Sequence, residues 1–360
     1  MSPSDRIDPA PAAPIPRWLL VLLGTAAVTI TIAGMRGVSH LLGPVLLALV
    51  LVVAVHPLRG WLERRKVPGW CATLLITITV YVFLLGFALA LVLAAAEFAA
   101  LLPKYTDQLT DTIDKATSWL KGLGVDTSST EKISSSLDVG KLADAVEAVL
   151  SGLSGVFSGL FLVVTLLLFL AIDGAWFPHR LGEAETDRRP LVASLATFAR
   201  KTRRYLVVSS VFGLIVAVID TGALWLMGIP APLLWGLLAF ITNYIPNIGF
   251  VIGLVPVAVL GLLEGGWELM LAVIAVYCVI NVVIQSVIQP KVVGDAVGLS
   301  ASLTFISLIF WAWVLGALGA LLAIPISLLV KSLLVDIDPS SQWLQPLIGS
   351  NENPAAEATG

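Results

Sequence analysis

The sequence predicts an all-α polytopic membrane protein. It has about eight transmembrane segments, the sixth broken or re-entrant, and amphipathic helices in an external insert. Three observations predict this class. First, 58% of the 360 residues are hydrophobic and 12% charged, with a mean hydropathy of +0.96, whereas a soluble domain is about 45–50% apolar and about 25% charged. So few charges cannot clothe a water-facing surface, which excludes a soluble enzyme, a secreted domain and a disordered chain. Second, apolar runs of the roughly 20 residues needed to cross a bilayer recur along the chain. Third, Lys and Arg gather in alternate loops. The net charge of −3 gives no general pull toward nucleic acid.

Residues 1–17 predict a disordered cytoplasmic tail, because Pro3, Pro9, Pro11, Pro14 and Pro16 exclude a helix. The apolar stretch that follows has no small-residue cleavage site, so it is not read as a signal peptide. Region 18–96 holds segments one to three: Trp18–Met35, Val38–His56 and Trp70–Ala96. The break at Arg36-Gly37 is so short that the first two should form a tight hairpin. Region 97–152 carries nine acidic residues against five lysines and no arginine. It is too polar to span, and helical spacing at Leu102–Leu109–Ile113 and Leu137–Leu142–Val146–Val149 predicts an external amphipathic helical insert.

Segment four is Leu153–Ile172, within region 153–172. Region 173–204 is a basic cytoplasmic loop. Leu191, Leu195, Phe198 and Tyr205 recur there among arginines, which predicts an interfacial helix leading into segment five. Region 205–335 holds the transport core, segments Tyr205–Met227, Leu233–Leu263, Leu269–Gln289 and Leu303–Leu334, before a cytoplasmic tail at 336–360. Basic residues at Arg59, Arg64, Arg65 and Lys66, at Arg180–Arg204 and at Lys331 fall on one side if every segment crosses once. The positive-inside rule makes that side, and both termini, cytoplasmic. Trp18, Trp70, Trp176, Trp225, Trp235 and Trp267 sit at segment ends as an aromatic belt.

Chemistry-bearing clusters are missing. Cys71 and Cys278 lie singly in apolar runs, and His40, His56 and His179 do not cluster, so no disulfide, metal site or cofactor is expected. No Walker loop, GxSxG, CxxC or paired His-Glu motif occurs, which argues against an enzyme and against ATP hydrolysis.

The candidate site comes from residues that break membrane rules. Segment six is long and centres on Asn243-Tyr-Ile-Pro-Asn-Ile-Gly249. Pro246 removes an amide donor, Gly249 permits an unwound backbone, and Asn243 and Asn247 can serve freed backbone groups or a polar solute. Irregular backbone at this depth needs a protein interior or a water-filled cavity. Two geometries fit: one long kinked helix, or two half-helices meeting at the break as a re-entrant hairpin. In segment seven, Asn281, Gln285 and Gln289 share a helical stripe before Pro290. Asp220 is the one carboxylate well inside an uninterrupted span, a candidate proton or ion site if it is not an acid near the interface.

Asn243–Gly249, Ile288-Gln-Pro-Lys-Val-Val-Gly294, Gly298-Leu-Ser300 and the run from Leu315 to Pro325 together resemble the autoinducer-2 exporter family of PerM-like and TqsA-like membrane proteins. The resemblance implies a multi-pass transporter of the cytoplasmic membrane and a homo-oligomer. It links some members to autoinducer-2 export and others to sodium–proton exchange. The family often has a glutamate in the segment-seven stretch. This chain has amides there, which leaves Asp220 as the main acid candidate.

Three functions follow as expectations. The first is a secondary transporter or facilitator exporting a small polar, uncharged metabolite along segments five to seven, with amides hydrogen-bonding its hydroxyls. The second is a cation–proton antiporter titrating Asp220. The third is a membrane scaffold that binds a partner through the external insert. The lipid bilayer is the common partner of all three.

Overall fold

The computed structural model describes residues 16–90, 92, 93, 96, 118, 159, 161–169, 189–245, 248–289 and 299–337. Among these there is no strand. The external insert at 97–152, Ser118 apart, therefore lies outside the described residues, as do most of both tails, Trp176 and the 290–298 connection.

Helix α1 (Arg17–Gly37) and helix α2 (Ser39–Arg64) are joined through Val38 alone, but they touch little, so the expected tight pairing does not form. α1 is apolar all round and exposed along most of its length, as a lipid-facing helix is. Helix α3 spans Gly69–Ala90, and residues 161–169 form α4 within segment four. Ala48, Val163 and Leu167 bury together against Val80 and Leu84, which packs α2, α3 and α4 as one layer.

Helix α5 (Arg189–Leu226) runs 38 residues without a break, about 57 Å at 1.5 Å per residue. The expected interfacial helix and segment five are thus one rod. α5 ends at Gly228 (φ +72°), and Ala231 in the left-handed region (φ 51°) with Pro232 starts the next helix.

Segment six is not one kinked helix. Helix α6 (Pro232–Thr242) has only 11 residues, and helix α7 (Ile248–Asn281) begins after the break. α7 folds back along α6. A Cβ on Gly249 would overlap the Thr242 carbonyl, and one on Gly253 would lie 3.4 Å from Thr242 Oγ1 and 4.0 Å from the Ala239 Cα. Trp235 shares a cluster with Val257 and Leu260. In a continuous helix, residues 239 and 253 would stand about 21 Å apart. Of the two geometries left open by the sequence, the helical hairpin is the observed one. Trp235 is therefore 4% exposed, with its indole N–H donating to Pro230 O at 3.0 Å. It is a core residue and not part of the aromatic belt.

α7 itself bends at Gly265 and Gly266, whose dihedrals are non-helical. Its second arm returns along the first, since a Gly261 Cβ would meet Met270 and Val273. This arm is segment seven. It closes in a π-helix, Val282–Ile288, in which backbone bonding widens from i→i−4 to i→i−5.

The eighth apolar run also divides. Helix α8 (Ala301–Leu315), capped by Ser300 Oγ on Leu303 N–H at 3.3 Å, turns at Gly316 (φ +68°) into helix α9 (Ala317–Leu334). The two lie antiparallel: Trp311 Nε1 donates to Ser327 Oγ at 3.0 Å. A straight helix over Leu303–Leu334 would measure about 48 Å against a hydrocarbon core of about 30 Å.

One end of the bundle is basic. Phe198, Tyr205, Leu299, Ile324 and Leu328 cluster there with Val53, and Ser194 Oγ bonds Ser332 at 2.7 Å. These contacts gather the Arg59–Lys66 end of α2, the Arg200–Arg204 stretch of α5 and Lys331. At the opposite end, a Gly43 Cβ would meet Leu318, and the Arg36 guanidinium lies 4.6 Å from the Trp313 ring centroid.

Candidate functional site

The first hairpin places its tip against α5. Gly213 has no side chain, so Asn243 packs over it; a Cβ there would come within 2.8 Å of Asn243 Nδ2. From that position Asn243 Nδ2 donates to Ser209 O at 2.9 Å. The Tyr205 hydroxyl donates to Tyr244 O at 2.7 Å, and the Tyr244 and Ser210 hydroxyls bond at 2.6 Å. The tip, where helical bonding stops, is thereby fastened to α5 by three hydrogen bonds.

The second arm of α7 supplies the other wall. Gln285 Nε2 donates to Asn243 Oδ1 at 2.9 Å and to Asn281 Oδ1 at 2.8 Å. Asn281 Nδ2 donates back to Tyr277 O at 2.9 Å. The result is an amide ladder from α5 through the hairpin tip to the π-helix. Gln285 sits inside the π-helix, and such wide turns recur at functional sites.

Beside the ladder lies a cavity of about 10 Å³, on the order of what one water's centre requires. It is lined by Val216 and Asp220 of α5 and by Ala239, Thr242 and Asn243 at the end of α6. Gly249, Phe250 and Gly253 come from the first arm of α7, with Tyr277, Asn281 and Gln285 from the second arm and the π-helix. Small residues on the hairpin leave the space that polar groups from α5 and α7 then face. Asp220 is 0% exposed, enclosed by its own protein. Neither of its carboxylate oxygens has a hydrogen-bond partner.

The structure thus brings Asn243, Gly249, Asn281, Gln285 and Asp220 around one cavity. Gln289, one residue past the π-helix, is not among the residues that line the cavity. Pro246 and Asn247 lie outside the described residues. Gly249 matters for a different reason than expected. It is helical, and its missing Cβ lets two backbones touch. Sequence reasoning missed Ser209, Thr242 and Tyr277. Tyr277 had a signal, since it lies one turn before Asn281 on the same stripe.

A bundle of apolar helices with two folded-back hairpins and a polar seam in its interior defines the class: a multi-pass membrane transport protein. The model of the AI-2E family transporters matches residues 19–337. The chain belongs to that family, which is a family of transporters and not of enzymes. It is 32% identical over 314 residues to YhhT of Escherichia coli K12, covering 86% of this chain and 89% of that one. It is 29% identical to the AI-2 transport protein TqsA of the same strain, covering 87% and 90%. Bacillus subtilis YueF is 27% identical, covering 83% and 85%.

Proposed function

We propose that this transporter exports a small, polar, uncharged metabolite from the cytoplasm by way of the seam between α5, the first hairpin and the π-helix. Autoinducer-2, a hydroxyl-rich signal, is the first solute to test, because the name of the relative TqsA assigns it AI-2 transport. The observation that carries the proposal is the amide ladder: Gln285 bridges Asn243 and Asn281 across separate elements. Amides both donate and accept, so a solute's hydroxyls can replace them one at a time without a buried group going unpaired. The ladder carries no fixed charge, which suits a neutral solute.

The orientation in the membrane is drawn from charge. The basic end becomes the cytoplasmic end by the positive-inside rule, which puts both termini in the cytoplasm of a cell whose inner membrane holds the protein. The scaffold alternative rests on the insert at 97–152, and the ladder gives it no support. A homo-oligomer, which the resemblance to the family implies, is proposed with it.

The test is autoinducer-2 flux from proteoliposomes at matched protein density. Gln285→Leu removes both donated bonds and is expected to lower flux at least about tenfold, the equivalent of one such bond in the transport barrier. Val251→Leu, on an exposed face of α7, and Gln289→Leu should transport like the parent. Equal flux in Gln285→Leu would move the pathway elsewhere.

A further inference from the structure

Two buried polar groups lining the cavity are left over once the amide ladder is complete. The Asp220 carboxylate and the Tyr277 hydroxyl are both without a hydrogen-bond partner, although Asp220 is fully enclosed and Tyr277 is 1% exposed. They come from different elements, α5 and the second arm of α7, and they line the same cavity. Buried polar groups are as a rule paired, and an unpaired carboxylate charge is the costliest exception.

Among the described residues no cation lines the cavity to neutralise it. Among the described residues lining the cavity, Asp220 and Tyr277 are the titratable ones; α6, the first arm of α7 and the π-helix contribute none. The basic residue nearest along α5, Arg204, is 16 positions earlier, about 24 Å down the helix. A ligand therefore has to supply the charge. Hard metal cations ask for about six oxygens. The lining offers one carboxylate, the Tyr277 and Thr242 hydroxyls and three amides, and the amide oxygens of Asn243 and Asn281 are already taken by Gln285. A proton needs only one oxygen, and a cavity of about 10 Å³ holds about one water to carry it.

We propose that Asp220, linked to Tyr277 through a water in the cavity they share, is a proton-binding site that couples solute movement past the amide ladder to the proton gradient. The coupling half rests on the function proposed above; the proton half does not. With the seam closed, the carboxyl group holds its proton, and a water in the cavity bridges it to the Tyr277 hydroxyl, because the two do not bond directly. When the hairpin tip leaves α5 and water enters, the carboxyl O–H bond breaks. Its electron pair stays on the carboxylate and the proton departs on water.

The test is infrared difference spectroscopy of the full chain in vesicles of bacterial phospholipid, titrated from acid to alkaline buffer. The parent should lose one protonated-carboxyl band as pH rises. Asp220→Asn should lack that band, and Tyr277→Phe should shift its midpoint. Identical difference spectra for the parent and Asp220→Asn would overturn the site. If Asp220→Asn does not fold, Asp220→Glu must move the band, and an unmoved band overturns the site equally. Autoinducer-2 flux under an imposed pH gradient then reads the coupling. A one-proton step changes the parent rate by up to about tenfold per pH unit, and Asp220→Asn should be flat. A titrating band with pH-independent flux overturns the coupling. Flux with no titrating band overturns the proton site and leaves the function proposed above standing.

Discussion

Gly249 and Gly222 make a matched pair at the scale of single residues. Both lie inside helices, yet a Cβ on Gly249 would overlap the Thr242 carbonyl, while nothing stands within 4 Å of one on Gly222. Gly249→Ala must push the hairpin arms apart and should cost about 1–3 kcal/mol. Gly222→Ala removes backbone freedom from the unfolded chain and should be neutral or stabilising by about 0.5–1 kcal/mol. Thermal unfolding in detergent checks both; equal midpoints would mean that the arms do not touch at Gly249. At this scale the sequence was a good guide to amides and acids, because a polar side chain at membrane depth is conspicuous whatever surrounds it. It was a poor guide to Ser209, which serves through its backbone carbonyl, and to the hydroxyls of Ser210 and Thr242. Hydroxyls are common in membrane helices, where they bond their own backbone as Thr221 bonds Ala217 O at 2.7 Å. Which of them meets another helix is decided by packing.

Elements were legible where apolar length and a breaker agreed. Arg36-Gly37, Gly265-Gly266 and the Asn-Pro-Asn stretch each punctuate a run, and each marks a turn or bend in the chain path. The eighth run hid its turn because Gly316 stands among other small residues, with neither a charge nor a proline beside it. Its direct requirement is conformational: φ +68° with ψ −147°, a region essentially closed to residues with a side chain. Gly316→Val should therefore cost about 1–3 kcal/mol. Trp311→Phe removes the indole donor to Ser327 and should cost about 1 kcal/mol. Both are measurable as lowered unfolding midpoints. A Gly316→Val protein as stable as the parent would mean that α8 and α9 join in some other conformation.

The two hairpins together decide the topology of the molecule. The first enters from the end where α5 finishes and directs its tip toward the basic end, where Tyr205 holds Tyr244. The second enters from the basic end and turns at Gly316 near Gly43, on the far side. Their inner faces meet, since Ile245 and Ile248 pack on the cluster of Leu308, Trp311 and Leu322. Each hairpin returns the chain to the side it came from. Replacing two plain crossings by two returns leaves the side of Lys331 unchanged, which is why counting single crossings put that lysine on the basic side although two segments are folded differently. The sides of the intermediate turns do change, and they separate the two topologies. With Cys71 and Cys278 replaced by alanine, single cysteines at Ala231 and Trp267 should label from the same face of the membrane. Cysteines at Ser300 and Asp336 should both label from the opposite face. Two plain crossings would put each of these pairs on opposite faces. Labelling of Ala231→Cys and Trp267→Cys from opposite sides in intact cells would remove the first hairpin, and with it the polar seam between α5 and the π-helix.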